Sequence, residues 1–122
     1  MKSITLEDKD NKQTEVFIRE YNNEDREIIT NECVEIEYSA QGGESKKIKG
    51  GTLKKYTFIL GVAKAPFFTQ DILDTLGVTD RILKSRVEEY KMVDPKIIDT
   101  LLPAIAEINQ IDVEGLEILK KN

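Results

Sequence analysis

Asp8-Lys9-Asp10-Asn11-Lys12 opens like a calcium loop, in which alternating oxygen donors wrap a divalent cation. Such a loop needs an oxygen ligand at its fifth position, a glycine at its sixth and a glutamate at its twelfth. Lys12, Gln13 and Arg19 stand there instead, so a polar hairpin turn is the better expectation. Lys49-Gly50-Gly51-Thr52 leads into a helix start, where free backbone N–H groups attract anions. It lacks the GxxxxGK[ST] spacing of a phosphate-cradling loop, and hinge glycines with Thr52 as a cap account for it without a ligand. Cys33 lies on an apolar helix face, as a small buried hydrophobe would.

Histidine is absent from the 122 residues, which removes histidine base catalysis, serine–histidine pairs and histidine metal ligands. The 23 acidic residues single out no catalytic pair and read as solvated surface. These residues point to a protein that is not an enzyme and needs no cofactor or metal.

One segment could read DNA. TQDILDTLGVTDRILKSRVEEY fits a helix-turn-helix, with a first helix at 69–76, a turn at Gly77-Val78 and a second helix at 80–91. Arg81, Lys84, Ser85 and Arg86 would then face the groove. Leu73 is large where a small residue normally lets the helices approach, and Asp71, Asp74 and Asp80 would meet phosphate. The net charge of −5 also argues against a dedicated nucleic-acid binder. A final candidate is Ala65-Pro66-Phe67-Phe68. Pro66 stops a helix and leaves two aromatic rings on a connection, one for the core and one for a partner. Leu116 and Ile118, near the C-terminus, are the next choice for a partner surface.

The elements that carry these residues follow from periodicity. Ile4 and Leu6, then Val16 and Ile18, alternate with polar neighbours about a polar turn, which predicts a β-hairpin over 1–20. Residues 23–122 read as a helical body. Asn22 or Asn23 caps a first helix reaching about Glu37, although Val34, Ile36 and Tyr38 also alternate as a strand would. Residues 41–51 hold four of the seven glycines and are expected to form a mobile Gly/Lys loop. Thr52 is the expected cap of a helix to Ala65 with Leu53, Tyr56, Ile59, Leu60 and Ala63 on its apolar stripe. A short helix from Thr69 to Gly77 follows. The next starts at Thr79 or Asp80 and turns Leu83, Val87 and Tyr90 inward. Asp94-Pro95 starts another, with Ile98, Leu101, Leu102, Ile105 and Ile108 inward and Pro103 as a kink or restart. Asp112 starts a last one. The expectation is one α+β domain: an N-terminal β-hairpin packed on about five helices.

A single cysteine, no apolar leader and no apolar run beyond Phe58–Ala63 point to a cytoplasmic protein with no membrane segment. The apolar positions between Thr52 and Asn109 exceed what a small β layer and one helix can cover, so a homo-oligomer is expected.

The order of segments resembles the small tail assembly chaperones of long-tailed bacteriophages. FIREYNNEDREII matches their strand end followed by an acidic helix start, YTFILGVAKAPF their apolar helix closing on an Ala-Pro-Phe turn, and LLPAIAEIN, ending at Asn109, their terminal helix. The resemblance implies a non-enzymatic role: binding the tape-measure protein and keeping its apolar helices soluble while tube subunits assemble. It also implies self-association, absence from the finished particle and, in some members, a frameshifted longer form. A small helix-turn-helix regulator and a structural head–tail component are the alternatives.

Overall fold

A computed structural model describes residues 1–7, 10–38, 40, 42–72 and 77–111. The expected hairpin is there. β1 (Lys2–Glu7) and β2 (Gln13–Ile18) pair antiparallel from Lys2↔Ile18 to Glu7↔Gln13. Asn11 takes a left-handed conformation in the turn, φ 58°, which asparagine tolerates better than most residues. Val16 and Ile18 are fully buried on the inner face, with Ile4 and Leu6 packed beside them.

Asn22 then caps α1 (Asn23–Cys33). Its side chain accepts from the Asp25 amide at 2.8 Å, and Asp25 accepts in return from the Asn22 amide at 2.9 Å. This reciprocal capping box fixes the helix start. The helix stops at Cys33, short of Glu37. Val34–Tyr38 is strand β3, paired antiparallel with β4 (Glu44–Ile48) from Val34↔Ile48 to Tyr38↔Glu44. The β-branched and aromatic alternation wins over helix continuation here. The expected loop at 41–51 is thereby corrected: much of it is the second strand of a hairpin, with Gly42 at φ 81° and the Lys49 amide tied to the Cys33 carbonyl at 2.8 Å.

α2 (Gly50–Gly61) also departs from expectation at both ends. Lys49, not Thr52, occupies the cap position, and its side chain makes no capping bond. At the other end the chain leaves the helix four residues before Ala65. Val62–Lys64 becomes β5, pairing with β2 to complete a three-stranded sheet in the order β1-β2-β5. Val62 is β-branched, and the open edge of β2 gives its backbone a partner that another helical turn would not.

The expected helix at 69–77 is not seen in its described part. Thr69–Ile72 is irregular, and the Ile72 amide bonds the Ala63 carbonyl at 2.9 Å; residues 73–76, with Leu73 and Asp74, lie outside the described residues. α3 (Asp80–Tyr90) starts on Thr79, whose hydroxyl accepts from the Ile82 amide at 3.2 Å. α4 (Pro95–Ile108) starts on Asp94, as its sequence predicted, and runs as one helix through exposed Pro103, with no restart there. The helix expected from Asp112 lies outside the described residues. The class is α+β, with a three-stranded antiparallel sheet and four helices among the described residues.

α2 is the central helix. It packs against α1, α3 and α4, and its second half, Tyr56 to Gly61, is buried throughout. Ile98, Leu101 and Ile105 of α4 complete the core, as their spacing requires. Asn109 locks the end of α4 in place: its side chain accepts from the Tyr21 amide at 2.7 Å and donates to the Arg19 carbonyl at 3.1 Å.

Candidate functional site

Two buried arginines set the positions of the elements that form the site. A helix ending inside a core leaves its last carbonyls without intrahelical donors, and its C-terminus carries partial negative charge. Arg19, 1% exposed, donates from Nη1 to the Leu60 carbonyl and from Nη2 to Asp25 Oδ2, both at 2.7 Å. Arg86, fully buried, donates from Nη1 to the carbonyls of Ile59 (2.7 Å) and Val62, and from Nη2 to those of Ala63 (3.2 Å) and Gln70 (2.8 Å). Its guanidinium lies 4.4 Å from the centre of the Phe68 ring. Burial, and then the charge of Arg19, lower its pKa to about 10; Asp71 and Glu89 act in the opposite direction. α3 is therefore clamped to the end of α2 through one side chain.

This geometry corrects the helix-turn-helix expectation. Arg86 faces inward and holds four carbonyls, so it cannot read a base edge, and Thr69–Ile72 supplies no first helix. Arg81 and Lys84 are exposed, and Ser85 is half-buried and donates to Glu89 at 2.8 Å.

The connection after Pro66 is tied to the body of the domain by hydrogen bonds. The Glu89 carboxylate accepts from the Thr69 amide at 2.8 Å and from its hydroxyl at 3.1 Å, pinning the segment to α3. The two phenylalanines differ in exposure. Phe68, 4% exposed, is a core ring. Phe67 is half-buried and stacks on fully buried Phe58, centroids 6.0 Å apart and planes at 19°. Tyr90 meets the same Phe58 ring at 5.8 Å. Phe58 thus carries two half-exposed aromatics, one from the connection and one from α3. Leu116 and Ile118 lie outside the described residues.

Tyr90 also lines a groove of about 560 Å³. It is lined by Lys54 and Lys55 of α2, Val87 and Tyr90 of α3, Lys91 and Val93 of the turn that follows, and Pro95 and Ile98 of α4. A second recess of about 340 Å³, between Tyr56 and the first turns of α3, shares Val87 with it. Together they follow α3 for most of its length. Lys54 reaches Asp99 at 3.2 Å, tying α2 to α4 at the rim. Burial raises the Tyr90 phenol above its ordinary range, opposed by Lys54 and reinforced by Asp99. Met92, in the turn beyond α3, is 88% exposed.

The sequence marked Phe67 and Phe68 by their place after Pro66, although the helix ends earlier, at Gly61, and Pro66 follows β5; it gave no sign of Glu89, which acts on a residue twenty positions away. It also gave no sign that Lys54 and Lys91 line one groove, because one sits on α2 and the other just beyond α3, and how those elements pack is a tertiary matter. Among the described residues no cluster of three or more His, Cys, Asp or Glu is arranged to hold a metal ion, and no helix is long and apolar enough to cross a membrane. No protein family, curated protein or solved structure matches the chain.

Proposed function

We propose that this protein is a non-enzymatic assembly chaperone that shields an apolar helical segment of a partner protein. The partner suggested by the resemblance is a phage tape-measure protein, bound during tail assembly in the host cytoplasm. The observation that carries the proposal is the pair of half-buried rings, Phe67 and Tyr90, held on Phe58, with Tyr90 also lining the groove between α2, α3 and α4. Aromatic side chains dominate interface energetics, and rigid placement reduces the ordering that binding requires. Helix-in-groove recognition needs such a surface.

Co-expression with a tape-measure-type protein encoded beside it is the direct test. The chain should keep that protein soluble and co-purify with it. Phe67→Ala should weaken co-purification while leaving most of the stability intact, whereas Phe68→Ala should destabilise the fold by about 3–5 kcal/mol. A tape-measure-type protein equally soluble without this chain would sink the proposal. Recovery of the chain in purified particles would favour a structural head–tail component instead.

A further inference from the structure

The two edges of the three-stranded sheet are finished differently. At β5 the Val62 carbonyl accepts from buried Arg86, and the Ala63 carbonyl accepts from Arg86 at 3.2 Å and from the Ile72 amide at 2.9 Å. β1 stands at the other edge, and among the described residues no strand lies beyond it. An edge strand presents a row of N–H and C=O groups that another strand can pair with, and folds usually guard it with a proline, a bulge or a charge in its middle. β1 has none of these. Its sequence is KSITLE, its register with β2 is unbroken from Lys2↔Ile18 to Glu7↔Gln13, and its charges stand only at its two ends. Lys2, Ser3, Thr5 and Glu7 are exposed, and Ile4 and Leu6, on the core side, are only half-buried.

We propose that this edge pairs with the β1 edge of a second copy of the chain, antiparallel about a two-fold axis, so that two three-stranded sheets join into one. The strand is complementary to itself in one register. Residues directly opposite in an antiparallel pair share a face, and a slip of one residue moves every side chain to the other face. Setting Thr5 opposite Thr5 of the second copy keeps the two cores on the same side of the joined sheet. It puts Ile4 against Leu6 on the inner face and Ser3 against Glu7 on the outer one, with no two like charges directly opposite. A shift of two residues in one direction sets Lys2 against Leu6; in the other it shortens the pairing to Thr5 through Glu7. Parallel pairing would align Lys2 with Lys2 and Glu7 with Glu7, whereas antiparallel pairing brings the Lys2 end of each strand to the Glu7 end of the other. The contact lies on the sheet rather than on the helix faces and does not depend on the helix-shielding function.

Sedimentation of the full chain over a range of concentrations should show a monomer–dimer equilibrium. Thr5→Lys sets two lysines face to face across the two-fold axis and should weaken the dimer on the order of tenfold. Within one copy the new lysine lies opposite Glu15, so the melting temperature of the monomer should hold. A mixture of Thr5→Lys and Thr5→Glu chains should associate again. In a Cys33→Ala background, Thr5→Cys should form a disulfide-linked dimer under mild oxidation, because opposite Cα atoms in such a ladder are about 4.5–5.5 Å apart. Ser3→Cys should not, since its two copies would lie about 14 Å apart along the strands. A chain that stays monomeric at every accessible concentration overturns the proposal. So does a dimer that Thr5→Lys leaves intact, or one that Ser3→Cys cross-links as readily as Thr5→Cys, since the copies would then meet elsewhere or in another register.

Discussion

At its C-terminal end α2 is surrounded. The carbonyls of Ile59, Leu60 and Gly61 accept from Arg86, from the Arg19 side chain and from the Arg19 amide, and Gly61 itself lies against Ile105. At its N-terminal end, about 16 Å away along the axis, Lys49 stands at the cap position, Gly51 is exposed and Lys54 and Lys55 follow in the next turn. One twelve-residue helix therefore has a sealed end and an open end. The sealed end fixes the sheet, α1 and α3 relative to one another. The open end borders the groove. The difference shows how a small domain can concentrate buried hydrogen bonds at one end of a helix and leave the other end at the surface.

Breaking the sealed end should produce the largest effect. Arg86→Met removes the donors to three buried carbonyls and to the part-buried one of Gln70, which should destabilise the fold by about 3–5 kcal/mol in urea unfolding. That is a large part of the stability of a domain this size. A loss below about 1 kcal/mol would mean that water or other donors replace the guanidinium readily.

The same substitution at the two glycines sharpens the contrast. A β-carbon at Gly61 would collide with the γ-methyl of Ile105, so Gly61→Ala should cost about 1–3 kcal/mol through overpacking. A β-carbon at Gly51 meets nothing within 4 Å. Gly51→Ala should therefore stabilise by about 0.5–1 kcal/mol, because alanine loses less backbone freedom on entering a helix. Both glycines changing stability in the same direction would contradict the two-ended description of α2.

The smallest effect concerns Cys33, where α1 turns into β3. Burial, and then Glu32, push its thiol pKa up to about 11 from 9.0. The folded pKa exceeds the unfolded one, so the associated stability is complete below pH 9 and is lost as pH rises through 11. The tyrosines and Arg86 begin to contribute only near pH 10, which leaves pH 9 to 10 as the diagnostic window. Urea midpoints should fall slightly across it in the parent chain and stay level in Cys33→Ala. Thiol-reactive dyes should also label Cys33 slowly at neutral pH. Fast labelling would show that the base of the β3–β4 hairpin opens readily.

Local signals in the chain were enough for the elements whose causes are local. Alternation gave the β1–β2 hairpin. Asn22 with Asp25, Thr79, and Asp94 before Pro95 marked three helix starts within a residue, because a cap is a short-range hydrogen bond. The apolar spacing from Ile98 to Ile105 placed α4 in the core. Other boundaries were decided by distant partners. Val34–Tyr38 fits helix or strand on its own, and pairing with residues 44–48 made it a strand. Val62–Lys64 carries an apolar stripe that continues α2, and the free edge of β2 drew it into the sheet.

The same division holds for the site. The sequence set Phe67 and Phe68 side by side after a proline, but which ring enters the core depends on Arg86 and Phe58, neither adjacent in the chain. Arg86 itself looks like a surface residue in an ion-rich helix. Only the tertiary structure turns it inward, because α2 ends inside the core and its carbonyls there need donors that its own backbone does not supply. Composition, caps and periodicity are properties of neighbours and could be read along the chain. The buried cations, the groove between helices and its lysine rim are properties of packing, and arise only once segments twenty to ninety residues apart are in contact.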